Sequence, residues 1–448
     1  MASAQIFSAC RPVVGRMALN VARLSTQRPA ALRKQLGPCA RFPKTVLSRT
    51  SVATRVHRLQ YVTASVTTSS PTVVTREEVF TSDPYNNVSE SIFEKIGKNH
   101  HQNPDHPLGI IKQAIWDYFD NDHDDGEFTK FDDLKPIVTT TMNFDEMLVP
   151  KDHVSRDPND TYYINKETVL RCHTSAHQAG LLRDGFRKFL VTGDVYRRDS
   201  IDATHYPAFH QMEGVRVFEK AEWEAAGCTG TELAERELKR ALGGMVQHLF
   251  GDVEMRWVDA YFPFTEPSFE LEIFFKGEWL EVLGCGVMQQ AILEGADLGD
   301  KKAWAFGLGL ERLAMVLFDI PDIRLFWTSD ERFTSQFQAG CFVQGGSAVK
   351  FASFSKFPPC LKDVSFWLET PEQNIENNLC EVVRNIGGDL VEAVTLIDDF
   401  TNKKTGKRSN CFRITYRSME RSLTNEEIDN LQEQVREAIE QKLGAELR

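Results

Sequence analysis

The first 75 residues contain no Asp or Glu, although the 448-residue chain has 64 acidic side chains and a formal net charge of −12. That stretch holds eleven Arg or Lys and seventeen Ser or Thr, so the eleven positive charges set apart there leave −23 on the remaining 373 residues. An acid-free, Arg- and Ser-rich leader has the composition of an organellar transit peptide, and the sequence predicts one over residues 1–75, disordered and too poor in spaced apolar residues to pack. A basic tail that binds nucleic acid is the alternative. No unbroken apolar segment follows the first basic residues, which counts against a secretory signal. No run of eighteen apolar residues occurs anywhere, so no segment reads as a membrane-spanning helix and no membrane partner is expected.

Cysteine pairing is also missing. The nine cysteines are odd in number and contain no C-x-x-C, which argues against a disulfide framework and a zinc ribbon. A reducing organelle interior fits, and no structural metal is expected. The G-x-x-x-x-G-K-[ST] phosphate loop is absent, as is any internal repeat.

What is present is the pattern of a globular body. Leu108, Ile111, Ile115 and Phe119 recur at helical spacing, and residues 137–149 read as extended chain. A short helix over 173–182 precedes two strands, 189–195 and 209–218, joined by a loop rich in Arg, Asp and His. A helix over 231–249 leads to strands at 269–275 and 279–283. Another strand, 305–310, runs into a helix over 311–318. Periodicity then fades around Gly345-Gly346, and a linker is expected over 341–355. Beyond it the order strand, helix, strand, strand, helix, short strand is the ferredoxin-like βαββαβ arrangement. Thr424-Asn425-Glu426-Glu427 opens its second helix as a capping box.

Four clusters carry chemistry. In Gly193-Asp194-Val195-Tyr196-Arg197 through His205-Tyr206 to Gln211-Met212-Glu213, an Arg leaving a rigid strand offers a fixed fork to a phosphate. Gln211 and Glu213 share a strand face and suit an ammonium group. An ordinary solvated loop is the bland alternative. Trp304-Ala305-Phe306-Gly307-Leu308-Gly309-Leu310-Glu311-Arg312 is a glycine-bearing strand entering a helix, where Arg312 can lie along a purine and reach a terminal phosphate. Phe262-Pro263-Phe264 offers aromatic edges and faces to a third ring, though two core aromatics beside a turn would read the same. His173-x-x-x-His177 imitates a metal pair but lacks a third ligand.

The first two clusters resemble motifs 2 and 3 of the class II aminoacyl-tRNA synthetases. With Asn143-Phe144-Asp145, Pro150, Asp152-His153, His173-Thr174-Ser175-Ala176-His177, the Tyr261–Ser268 run and Glu281-Val282-Leu283-Gly284-Cys285-Gly286, the body from about residue 85 onward is similar to the single-chain organellar phenylalanyl-tRNA synthetases. Ser355–Pro359, Arg413–Arg417 and Leu423–Glu427 resemble that family's anticodon-binding domain. The resemblance implies an α+β chain, with an antiparallel-sheet catalytic domain over 76–340 and a ferredoxin-like anticodon-binding domain over 356–448.

It further implies a phenylalanine–tRNA ligase of the mitochondrial matrix, the chloroplast stroma or both, using ATP and Mg²⁺ on phenylalanine and its tRNA. A catalytically inactive tRNA-binding relative, or a biotin- or lipoate-type ligase, would be the competing readings. Arg197 and Arg312 would be catalytic, on the α- and γ-phosphates. The amino acid and adenylate would meet Ser175, Ala176, His177, Gln178, Gln211, Met212, Glu213, Phe262, Phe264, Gly284, Gly286, Ala305 and Phe306. Thr204, His205, Tyr206, Glu281 and Gly309 would join the two arginines around ATP. The tRNA would lie on Lys403, Lys404, Lys407, Arg408, Arg413 and Arg417, a local patch that an acidic body needs. No protein-caged metal and no editing domain are expected. Both functional parts on one chain suit a monomer whose linker is a hinge.

Overall fold

The computed structural model describes residues 74–123, 126–342, 345, 349–353, 357–368, 370 and 375–448. The expected leader lies outside these residues, apart from its last two positions. So do Gly346 and other parts of the expected linker, and Ser355 and Lys356 of one landmark.

Fourteen strands occur among the described residues: β1 Thr129–Phe131, β2 Ile137–Thr139, β3 Tyr163–Asn165, β4 Thr168–Leu170, β5 Lys188–Tyr196, β6 Ala208–Phe218, β7 Glu254–Phe262, β8 Thr265–Phe275, β9 Glu278–Met288, β10 Lys302–Gly309, β11 Cys360–Trp367, β12 Val391–Thr401, β13 Arg408–Tyr416 and β14 Glu446–Leu447. The central sheet has the order β1-β5-β6-β10-β9-β8-β7. Only the short edge strand β1 runs parallel to its neighbour. A small sheet, β2-β4-β3, lies beside it.

Side chains alternate across the central sheet, so its two faces read directly from the sequence. On the lower face Met212, Trp304, Phe306 and Leu308 join a large core with the helices Pro107–Asp117, Gly230–Phe250 and Leu310–Phe318. The helix Gly230–Phe250 forms because Thr229 and Glu232 close a capping box and Leu233, Leu238, Leu242 and Leu249 fall on one stripe. Burying each of these leucines contributes on the order of 2 kcal/mol. On the upper face a second core, with Val191, Val215, Val217, Ala303 and Ala305, covers one end of the sheet. The other end of that face is left for chemistry.

The C-terminal part has the predicted order. Sheet β12-β13-β11-β14 is antiparallel, and the helices Glu376–Gly387 and Asn425–Leu443 share a core with its inner face. Thr424 accepts the N–H of Glu427 and opens the second helix. Residues 137–149 depart from the expectation of extended chain. Only Ile137–Thr139 is strand, and Thr141–Asp145 coils into a wide helical turn that buries Asn143 and Phe144.

Candidate active site

The open end of the upper face is a floor made by four strands. Gln211 pairs with Gly309 and Glu213 with Gly307 across β6 and β10. Gly307 pairs with Gly284, and Ala305 with Gly286, across β10 and β9. A side chain added at Gly307 or Gly309 would meet nothing within 4 Å, so these glycines leave a slot in front of Glu213. Its far wall is Phe262, whose ring would lie 2.8 Å from a methyl placed on Gly284. The Phe262 and Phe264 rings stand nearly parallel with centroids 5.8 Å apart, both half-buried. Phe264 in turn faces the ring of His173.

Glu213 is 1 % exposed, and its carboxylate accepts from Ser175 Oγ and Gln178 Nε2. Among the described residues no cation pairs with it. Burial therefore pushes its pKa up to about 8, against the two hydrogen bonds that favour the charged form.

The segment that delivers Ser175 and Gln178 is pinned on both sides. Asn143 Oδ1 accepts the N–H of Cys172, the Asn143 carbonyl accepts from His173 Nε2 (2.9 Å), and Arg197 Nε donates to the Cys172 carbonyl (2.9 Å). Arg197 also lies 5.0 Å over the Phe209 ring. His173 is held neutral, its pKa pushed down to about 3 by burial and then by the Arg197 charge. His177 meets Arg171 instead: Arg171 Nη1 donates to His177 Nε2 at 2.9 Å, while its Nη2 pairs with buried Asp194 at 2.7 Å. Burial and that guanidinium push His177 down to about 3 as well.

Arg312 reaches the other end of the slot, 3.3 Å from Glu281 and 39 % exposed at its side chain. Glu281 arrives there through a slip in register between β8 and β9, which sends both Val282 and Leu283 into the lower core. Burial raises the pKa of both Glu281 and Glu270, and their carboxylate neighbours raise them further while Arg312 opposes. No three His, Cys, Asp or Glu side chains converge as a metal cage among the described residues. Glu281 and Glu270, close enough for the Glu281 charge to raise the Glu270 pKa, are the kind of donors that fit a magnesium ion carried by phosphates, which needs only one or two protein ligands.

A model for "tRNA synthetases class II core domain (F)" matches residues 93–337, over half of the chain. The chain belongs to the class II tRNA synthetases. A second model, "Ferredoxin-fold anticodon binding domain", matches residues 355–448. The chain is 59 % identical over 395 residues to "Phenylalanine--tRNA ligase, chloroplastic/mitochondrial" of Arabidopsis thaliana, covering 88 % of this chain and 90 % of the relative. It is 52 % identical to the mitochondrial phenylalanine–tRNA ligase of Dictyostelium discoideum (81 % and 89 % covered) and 49 % identical to that of Mus musculus (81 % and 86 %).

In this class II synthetase not every expected residue reaches the slot. Ser175, Gln178, Gln211, Glu213, Phe262, Phe264, Gly284, Gly286, Ala305, Gly309, Glu281 and Arg312 lie on or around one face. Met212 and Phe306 point the other way, because they alternate with Glu213 and Ala305, and their side chains sit in the lower core. The Ala176 methyl belongs to the upper core. Thr204 and His205 are both bound to Asp202, and Tyr206 donates to Asp389 of the C-terminal part at 2.7 Å. Their loop is drawn away by Ile201, an apolar residue that enters the C-terminal core while its carbonyl accepts from Val394 N–H (2.9 Å). Arg171 and Glu270 are additions: alternation along strand 269–275 turns Glu270 away from the core, but no local pattern places it near Glu281 and Arg312.

On the C-terminal sheet most of the expected tRNA cations already have partners. Arg413 meets Asp363 and Arg408 meets Asp399 through two hydrogen bonds each, Arg417 is 2.8 Å from Glu392, and Lys407 is 3.2 Å from Glu446. Lys403 and Lys404, at the exposed tip between β12 and β13, make no ion pair among the described residues. On the outer face Trp367 and Phe400 form an edge-on pair with the Arg448 guanidinium 5.4 and 4.9 Å from their rings.

Proposed function

We propose that this chain is a phenylalanine–tRNA ligase of the mitochondrion, the chloroplast or both, which activates L-phenylalanine with ATP and transfers it to tRNA. The family and the named relatives support the activity and the compartment, and the acid-free leader is consistent with import. The observation that carries the reading is Glu213: a buried carboxylate with two neutral donors, no cation among the described residues, and an aromatic slot beside it. An amino acid with a benzyl side chain supplies what is missing, an ammonium for Glu213 and Gln211 and a ring for Phe262 and Phe264. Gly307 and Gly309, with nothing within 4 Å of an added Cβ, leave room in front of Glu213.

In the first step the phenylalanine carboxylate attacks the α-phosphorus of ATP, the bond to the bridging oxygen breaks, and pyrophosphate leaves. In the second a hydroxyl of the terminal tRNA ribose attacks the adenylate carbonyl and AMP leaves. Arg197 binds the α-phosphate, beside His173 as a neutral neighbour, and Arg312 the γ-phosphate. Fixed cations of this kind stabilise charge as it moves to the leaving group without reorganising. Glu281 and Glu270 would hold the magnesium that enters with the nucleotide and offsets phosphate charge. Thr204, His205 and Tyr206 complete the nucleotide side only if their loop leaves the C-terminal part.

The tRNA is gripped by Lys403, Lys404 and the rest of that hairpin, and by the aromatic pair on the outer face of the C-terminal sheet, to which an unpaired base can stack. The working division is a catalytic part over 76–340, a linker over 341–355 and an anticodon-binding part over 356–448, acting as a monomer.

The test is exchange of labelled pyrophosphate into ATP. Phenylalanine is expected to support it and the other amino acids are not. A protein that binds tRNA yet exchanges nothing with any amino acid would be the inactive relative instead.

A further inference from the structure

The functional groups of the slot sit on two segments that must hold a fixed distance: β6, with Gln211 and Glu213, and the start of the helix Leu310–Phe318, with Arg312. Their ladder ends early. β10 stops at Gly309, opposite Gln211, and the chain turns into the helix. The N–H of the next β6 residue, His210, points to this side and has no strand to pair with. It donates instead to both carboxylate oxygens of Glu311, at 3.0 and 2.9 Å, and the His210 Nδ1–H donates to the same carboxylate at 2.7 Å. His210 is fully buried and Glu311 is 3 % exposed. The other ring nitrogen, Nε2, is buried with no hydrogen-bond partner among the described residues, so Glu311 is the polar anchor of this imidazole. The ring also stacks on Trp327 at 5.7 Å, which fixes its plane.

We propose that Glu311 is a positioning residue for the activation step. Its carboxylate replaces the missing strand acceptor and locks His210, and thereby sets the spacing between the ammonium subsite (Gln211, Glu213) and the phosphate-binding Arg312 on the adjoining residue. In-line attack depends on that spacing, and a misplacement of 1 Å can cost about 10²-fold in rate. Neither Glu311 nor His210 touches substrate. The inference rests on the proposed activity.

The test is phenylalanine-dependent pyrophosphate exchange by the full chain, with rates expressed per active site from an adenylate burst titration. Glu311→Gln keeps one acceptor but places an amide N–H₂ against two donors. It is expected to lower kcat by about 10- to 100-fold and to raise KM for ATP, while KM for phenylalanine stays within about twofold. His210→Phe keeps the stacked ring without a donor and is expected to fall as far. His210→Asn restores a side-chain donor toward Glu311 and is expected to recover most of the rate. Because the two residues act as one unit, Glu311→Gln combined with His210→Phe is expected to be little worse than either alone.

A wild-type kcat in Glu311→Gln, or an equal loss in His210→Asn and His210→Phe, would overturn the proposal. If Glu311→Gln is recovered unfolded, the two His210 variants decide by the same comparison. A wild-type chain with no exchange at all overturns the proposed activity first. An active wild type with an unaffected Glu311→Gln overturns this inference alone.

Discussion

On the central sheet Glu213 is buried with no cation against it among the described residues, and Arg312 stands partly exposed, 3.3 Å from a carboxylate. On the C-terminal sheet Arg413 and Asp363 meet through two hydrogen bonds of 2.8 Å, both side chains more than 40 % open to water. A carboxylate buried like Glu213 is costly to fold and becomes favourable only when a ligand brings the opposite charge. The Arg413–Asp363 pair is satisfied already and gives little to an incoming phosphate. A site is thus marked by how charges are matched, whereas the number of charges in a stretch says little.

That contrast breaks most sharply at Arg312. In the proposed activation step Arg312 is the cation on the leaving phosphate, so for Arg312→Ala kcat/KM for pyrophosphate exchange is expected to drop by about 10²–10³-fold. A loss below about fivefold would place Arg312 among the ordinary surface charges.

Glu213 gives the next largest effect, with a distinct pH signature. Its carboxyl stays protonated up to about pH 8 in the free protein, and an ammonium ligand favours the charged form, so binding expels a proton. The KM for phenylalanine is expected to fall as pH rises from 7 toward 8, by up to about tenfold per unit, and to level off above. Glu213→Gln should raise that KM by about 10- to 100-fold and flatten its pH dependence over this range. The stability signature has the opposite sense. A carboxyl whose folded pKa lies above its unfolded value near 4.5 binds more protons in the folded state, so its contribution is lost as pH rises from about 4.5 to 8. At pH 8 the Glu213→Gln protein should melt above wild type, and at pH 5 the difference should shrink. Melting curves at the two pH values check this.

Much of the fold and part of the slot were legible in the sequence, because strand alternation and helix stripes act over a few residues. Gln211 and Glu213 fall on one face by period two, and the same rule turns Met212 and Phe306 to the core, a signal available but outweighed by their membership of the motifs. The edge strand Glu254–Phe262 was not among the expected strands; its side chains alternate mainly between exposed and half-buried, and no fully buried position marks it. Glu281 reaches Arg312 through a register slip that no local pattern announces. The partners of Arg413 and Arg417 sit 50 and 25 residues away in sequence, so a basic run read along the chain could not show that folding neutralises it.

On the C-terminal sheet the effects are expected to be smaller and to split by chemistry. Phe400→Ala removes one wall of the exposed aromatic pair, and a lost base stack is worth about 1–3 kcal/mol. The KM for tRNA should rise by about tenfold while amino-acid activation stays at wild type. Because stacking releases few counterions, the dependence of tRNA affinity on salt should keep its slope. Lys403→Ala with Lys404→Ala should lower that slope by up to about two, the number of charges removed.

The smallest effect is expected at Arg413, and it is the strictest test of the contrast. Its guanidinium is spent on Asp363, an exposed pair of the kind worth about 0–1 kcal/mol. Arg413→Ala alone should change the tRNA KM by less than about twofold and stability by no more than that range. Asp363→Ala is the informative partner. It frees Arg413 on an outward face, and tRNA affinity should then increase, with a steeper salt dependence. If instead Arg413→Ala weakens tRNA binding as much as the double lysine change does, the pair opens on binding, and charges matched in the free protein are recruited after all.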